Sequence, residues 1–118
     1  MLNFFDSFFK KDNDLEKMNF SLEIGPHTDL ETLPPVKDVY VTMLPGGDYK
    51  ETADKSGDLV KKGFNPVPHF PARSINNEEE LREYVSRCKD QGVKQALVIG
   101  GSRDPIGKFD SSYQILET

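Results

Sequence analysis

Four short apolar runs in this 118-residue chain end in residues able to do chemistry. Ser21-Leu22-Glu23-Ile24 carries a carboxylate, Val39-Tyr40-Val41-Thr42 a hydroxyl, and Pro66-Val67-Pro68-His69-Phe70 an imidazole, while Gln95-Ala96-Leu97-Val98-Ile99 stops at Gly100-Gly101-Ser102. A carboxyl group and an imidazole are the usual carriers of protons near neutrality, and a glycine pair lets a ligand come close to the backbone. Glu23 shares its strand face with Ser21 and Gly25, opposite Leu22 and Ile24. Inside a closed barrel that face is the interior, where an unpaired carboxylate is costly and its pKa is pushed upward by desolvation. On an open sheet the same residue faces solvent. His69 fits both a hydrogen-bonded structural imidazole and a catalytic one, and Thr42 fits both a packed strand residue and a ligand contact.

The elements between these runs decide whether the groups meet. Phe20 to Ile24 alternates and is closed by Gly25-Pro26, which predicts a strand. Thr28 to Lys37, with Pro34-Pro35, has room only for a loop or one turn. Val39 to Leu44 is the second strand, closed by Pro45-Gly46-Gly47. Asp48 and Glu51 have capping-box spacing for a helix from about Tyr49 to Lys62, with Ala53, Leu59 and Val60 inward and Gly63 as its stop. Pro66 to Phe70 is the third strand. Asn77 and Glu80 again have cap spacing, and Leu81, Tyr84, Val85 and Cys88 form a stripe at helical intervals that Gly92 ends. Gln95 to Ile99 is the fourth strand, and Ser111 to Glu117 opens a further helix with Tyr113, Ile115 and Leu116 as its apolar residues. Strands alternating with helices give a parallel sheet, whose carboxyl ends are where α/β proteins bind ligands.

Composition narrows the partners. Fifteen basic against twenty acidic residues give a net charge of −5, which argues against a general nucleic-acid binder and against an anionic membrane surface. The lone Cys88 cannot make an internal disulfide and falls on a helix's apolar face, so a buried thiol in a reducing cytoplasm is expected. No apolar run approaches the ~20 residues of a membrane span. Residues 1–18 stand apart from the domain at 19–118: Phe4, Phe5, Phe8 and Phe9 recur at helical spacing, which predicts an amphipathic arm that packs on its own domain or on a partner subunit. MLNFFDSFFKKD has neither an early basic region nor a small-residue cleavage site, so it does not read as a secretion signal. Metal-ligand clusters, dinucleotide and phosphate-loop glycine motifs and a nucleophile elbow are all missing from the sequence.

These motifs in this order resemble the methylenetetrahydrofolate reductase family, the flavin-dependent barrel enzymes of one-carbon metabolism. The family's Ser-Phe-Glu strand with a proline-containing turn is matched by Ser21-Leu22-Glu23-Ile24-Gly25-Pro26, and its Val-Thr ending by Val41-Thr42. Its Pro-His-Leu strand is matched by Pro68-His69-Phe70, followed by Pro71-Ala72-Arg73, and its fourth run by Leu97-Val98-Ile99-Gly100-Gly101. The resemblance covers residues 19–118 and implies a partial (β/α)8 TIM barrel, the first four parallel strands with their helices. It further implies an oxidoreductase that passes hydride from NAD(P)H through FAD to 5,10-methylenetetrahydrofolate. Glu23 would then be the general acid that helps open the folate's five-membered ring. Thr42, His69, Ile99, Gly100, Gly101, Ser102 and Ser112 would lie at the FAD.

Two departures stand out. The family has an aspartate directly after the fourth-strand glycine, where this chain has Ser102, with Asp104 two residues on. Either Asp104 substitutes for it, or a charge is missing and the reduced, anionic flavin is favoured. The family's Phe-Pro-Pro after the glutamate is replaced by Ile24-Gly25-Pro26-His27. A complete barrel takes ~250 residues, so this chain is expected to be the N-terminal half of such an enzyme, inactive alone. The competing expectation is a non-enzymatic half-barrel that assembles with itself through its open strand edges.

Overall fold

The computed structural model describes residues 19–118; the aromatic arm at 1–18 lies outside the described residues. Four parallel strands form one sheet in chain order: β1 (Ser21–Ile24), β2 (Asp38–Val41), β3 (Asn65–Pro71) and β4 (Leu97–Ile99). Helix α1 (Tyr49–Lys61) crosses from β2 to β3, α2 (Glu78–Asp90) from β3 to β4, and the short α3 (Ser112–Leu116) follows β4. Single 3-10 turns occupy Leu30–Thr32 and Ala72–Ser74. The fold is therefore α/β with an all-parallel sheet. Among the described residues, strand order does not reverse as it does in a doubly wound sheet.

Register shows which face is covered. Ile24 pairs with Val41 and Val41 with Pro68, so these three lie on one face, joined two residues on by Phe70 and its partner Val98. That face carries both core clusters. Ile24, Val39 and Val41 pack with Leu59 of α1, and Phe70 packs with Ala53 of α1, Leu81, Tyr84 and Cys88 of α2 and Ile115 of α3. All three helices thus contribute to one side of the sheet. Tyr84 is fully buried and lies flat on Phe70, ring centroids 3.9 Å apart, with Tyr49 tilted against it at 5.4 Å.

Local chemistry explains the element ends. Asp48 and Asn77 accept hydrogen bonds from the backbone N–H groups of Lys50 and Glu80, capping α1 and α2. The reciprocal half of each expected box is absent: Glu51 faces His27 across 3.4 Å, and Glu80 accepts from Asn76. Gly63 follows α1 with φ of +91°, the left-handed conformation that favours glycine in a helix stop. A Cβ added at Gly57 of α1 would collide with the side chain of Gln91, the residue that caps the end of α2.

Three expectations fail in detail. Val85 is exposed rather than part of the α2 core stripe, which narrows to Leu81, Tyr84 and Cys88. In α3 only Ile115 is buried, while Tyr113 and Leu116 stand in solvent. The fourth strand is shorter than the apolar run and half-open, with Gln95, Ala96 and Leu97 exposed. In each case an apolar side chain lacks a neighbour because, among the described residues, nothing lies beyond β4 and α3.

Candidate functional site

The sheet face opposite the helices carries the chemistry. Glu23 pairs in register with Tyr40 and Tyr40 with Val67, while His69, two residues beyond Val67, pairs with Leu97. Glu23 and His69 belong to strands separated by β2, yet their side chains lean over it until His69 Nε2 lies 3.5 Å from Glu23 Oε1. Tyr40 lies beneath them, its ring edge-on to the imidazole at 6.3 Å and 67°. A carboxylate, an imidazole and a phenol are thereby gathered from three adjacent strands.

The two members of the pair sit in different surroundings. His69 is 8% exposed, and its Nε2 is buried without a hydrogen bond, because the carboxylate lies just outside bonding geometry. Burial pushes the imidazole pKa below its usual value, and the nearby Glu23 charge partly opposes this. The main chain of His69 is held separately: Tyr84 Oη donates to its carbonyl at 2.8 Å. Glu23, by contrast, has a side chain 64% exposed. The dry barrel interior expected around Glu23 is not formed by the described residues, although Val67 and His69 on the same face are buried.

The remaining residues line the carboxyl ends of the strands. Thr42 lies one residue beyond β2, where its N–H donates to Ile24 O at 2.9 Å and its carbonyl accepts from Thr52 Oγ1 at 3.1 Å. A Cβ added to Gly25 would sit 3.9 Å from the Thr42 hydroxyl, so the turn after β1 lies against that threonine. Ile99 closes β4 opposite Pro71. Gly100 O then accepts from the N–H of Arg73 at 3.0 Å, and Gly101 adopts a φ of +100°. A Cβ at Gly100 would meet nothing within 4 Å, so the backbone is open there.

Ser102 and Asp104 are exposed, and Asp104 makes no hydrogen bond or ion pair with other described residues. Ser112 starts α3, next to Ser111, whose N–H donates to Gln114 Oε1 at 3.0 Å. The structure joins Glu23 with His69 directly, sets Thr42 and the diglycine along the same end of the sheet, and places Ser102 on the β4–α3 connection and Ser112 at the start of α3.

Sequence reasoning missed Tyr40, Tyr84 and Arg73. Tyr40 was legible as the residue alternating with Val39 and Val41, hence on the face of Glu23. The helical stripe marks Tyr84 only as a core residue, and its bond to the His69 carbonyl depends on how α2 folds back. Arg73 links the β3 exit to the loop after β4, a contact between residues 28 apart in sequence. Among the described residues no group of histidine, cysteine and acidic side chains could hold a metal ion, and no helix is long and apolar enough to cross a membrane. Cys88 is buried, and its thiol pKa is pushed up to about 12 by desolvation. No protein-family model matches the chain.

Proposed function

We propose that residues 19–118 are the first half of a flavin-dependent (β/α)8 barrel of the methylenetetrahydrofolate reductase type. Such an enzyme passes hydride from NAD(P)H by way of FAD to 5,10-methylenetetrahydrofolate, giving the 5-methyl product. A complete barrel has eight strands; four parallel strands in chain order, with helices on one face, are compatible with half of it. The activity belongs to the closed barrel, not to these strands alone.

One observation carries the reading: Glu23 and His69 meet 3.5 Å apart on the helix-free face, near the carboxyl ends of the strands. The residues fit a flat, hydrogen-bonding ring. His69 Nε2 is a buried polar atom without a partner, and a ring edge with both donors and acceptors would satisfy it. Gly100 leaves room for close approach to the backbone. Bound there, the flavin would supply two-electron hydride chemistry. The chain's own part is to place the ring and move one proton. His69, fixed through its carbonyl by Tyr84, orients the ring, with Thr42 and the diglycine turn at its edges. Glu23 holds the proton that the folate nitrogen takes as its ring opens. Closing the barrel over Glu23 would remove water from the carboxyl and favour its protonated form.

The exposure of Glu23 and Leu97 favours a second reading, a half-barrel that self-associates without catalysing anything. Flavin binding separates the two. Adding FAD to the purified protein is expected to quench flavin fluorescence with a saturable curve, and a stable dimer without flavin affinity would instead support the assembly module. In a longer form that completes the barrel and carries FAD, Glu23→Gln is expected to abolish folate reduction while sparing flavin reduction by NAD(P)H. Equal loss of both half-reactions would leave Glu23 a structural residue.

A further inference from the structure

Arg73 makes more polar contacts at the carboxyl ends of the strands than any residue assigned above. It lies in the 3-10 turn just after β3. Its own N–H donates to Gly100 O at 3.0 Å, and its carbonyl accepts from the N–H of Ile106 at 3.1 Å. Its guanidinium reaches further along the same connection. Nη1 donates to Gly101 O at 3.1 Å, while Nε is shared between Asp110 O at 2.9 Å and Asp110 Oδ1 at 3.0 Å. The connection from Gly100 to Asp110 is thus tied at both ends and near its middle to one residue. Asp110 in turn precedes the start of α3, where its N–H donates to Gln114 Oε1 at 2.5 Å.

The surrounding contacts favour one loop position. A Cβ at Gly101 would touch Arg73 Cβ and Pro71 Cβ, both at 3.6 Å, so the diglycine rests against the β3 exit. Gly107 lies so close to the main chain of Asn76 that no side chain fits there, and the N–H of Lys108 donates to Asn76 O at 3.4 Å. Lys108 also pairs with Glu78 at the start of α2, across 3.0 Å. Only a planar fork can serve the carbonyl of Gly101 and the carbonyl and carboxylate of Asp110 together; a lysine ammonium is a point charge on a flexible stem.

We propose that Arg73 is a positioning residue, a clamp that fixes the Gly100-Gly101 backbone against the β3 exit by holding the β4–α3 connection at Gly101 and Asp110. Arg73 acts through the diglycine and touches no reacting atom. The inference rests on the flavin reading for its purpose, but the clamp itself is independent of any ligand. Without the fork, the turn after β4 is tied only by its backbone bonds. The flat ligand that His69 holds on one side then loses a fixed partner on the other.

Amide hydrogen exchange on the full chain tests the clamp directly. In Arg73→Lys and Arg73→Gln, the amides of Ile106 and Lys108 should exchange about tenfold faster, as loss of one charge-assisted hydrogen bond implies. Exchange in α2 should be unchanged. Unaltered exchange at both loop amides overturns the proposal, and so does equal acceleration throughout α2, which would make Arg73 a general structural residue. Asp110→Asn, which keeps the backbone acceptor but removes the charge, should give a smaller acceleration at the same two amides.

The ligand side is read with FAD as the probe. Arg73→Lys should weaken FAD binding about tenfold, again the scale of one charge-assisted bond. It should also move the visible spectrum of the bound flavin toward that of free flavin. A lysine variant that matches the parent in affinity and spectrum, with its loop loosened, overturns the positioning role. If the parent chain takes up no FAD, the flavin reading fails by itself, and the exchange result alone decides the clamp.

Discussion

Two influences act on the His69 imidazole, and burial is the larger. Its pKa is lowered in the folded protein, so the native state binds fewer protons at this group than the unfolded chain does. The stabilisation from keeping the imidazole neutral is present above the unfolded value of ~6.5 and is lost as pH falls below it. The urea midpoint is therefore expected to drop as pH falls below about 6.5, by the linkage that follows from a depressed histidine pKa. Replacing His69 with Asn should flatten that segment of the profile; an unchanged slope would assign it to other groups. Glu23→Gln removes the charge opposing the shift and should move the histidine titration to lower pH, as followed by proton NMR of the imidazole. Glu23 is mostly exposed, so its effect on stability should stay small.

The helices hold the candidate site by two different kinds of contact. Tyr84 anchors α2 to β3 through its ring on Phe70 and its hydroxyl on the His69 carbonyl. Tyr84→Phe preserves the ring stacking and leaves that buried carbonyl without its donor. The expected cost is about 1–2 kcal/mol in chemical denaturation, the range for a buried polar group stripped of its partner. Weaker ligand binding at His69 should accompany it. The pairing of α1 with α2 is more forgiving. Arg87 grips Asp54 with two bonds of 2.9 Å, and Gln91 adds a third at 3.0 Å. The Arg87 bond holds the Asp54 carboxyl below its ordinary pKa, so its stabilisation is present above the unfolded value near 3.9 and lost as pH falls below it. Because both side chains are more than a third exposed, Asp54→Asn should cost about 1 kcal/mol or less at neutral pH, as measured by urea unfolding.

At the scale of the whole molecule, the helices of the described residues cover one sheet face, while on the opposite face Val67 and His69 are buried, Glu23 is exposed, and Leu97 stands open on β4. A groove of about 1070 Å³, lined by Leu81, Val85, Val93, Val98 and Ile115 among others, runs between α2, β4 and α3 on the helix side. Its lining residues Phe70 and Val98 lie on the sheet face opposite Glu23 and His69. Open apolar surface of this kind favours association. Light scattering should show mass rising with protein concentration, and Leu97→Lys, which charges the open edge strand, should suppress that rise. Concentration-independent monomer would count against self-association through this edge.

Much of this was legible in the chain itself. Alternation at Ser21–Ile24 and Val39–Val41, the cap residues Asp48 and Asn77, and the stops at Gly63 and Gly92 are local chemistry, and they determined the elements and their parallel order. The types of residue at the strand ends were equally plain. Which groups meet was decided by tertiary structure, because those contacts depend on strand register and on the return of each helix. Sequence spacing could set Glu23 and His69 at the same end of a sheet, yet only the twist and tilt of side chains across β2 brought them within 3.5 Å. The clamp of Arg73 on Gly101 and Asp110 joins residues 28 and 37 positions apart, a distance over which local propensity has no influence. The exposure of Val85, Leu97 and Leu116 has the same origin: an apolar side chain is buried by the neighbour that folds over it, and periodicity within one element does not say whether that neighbour is there.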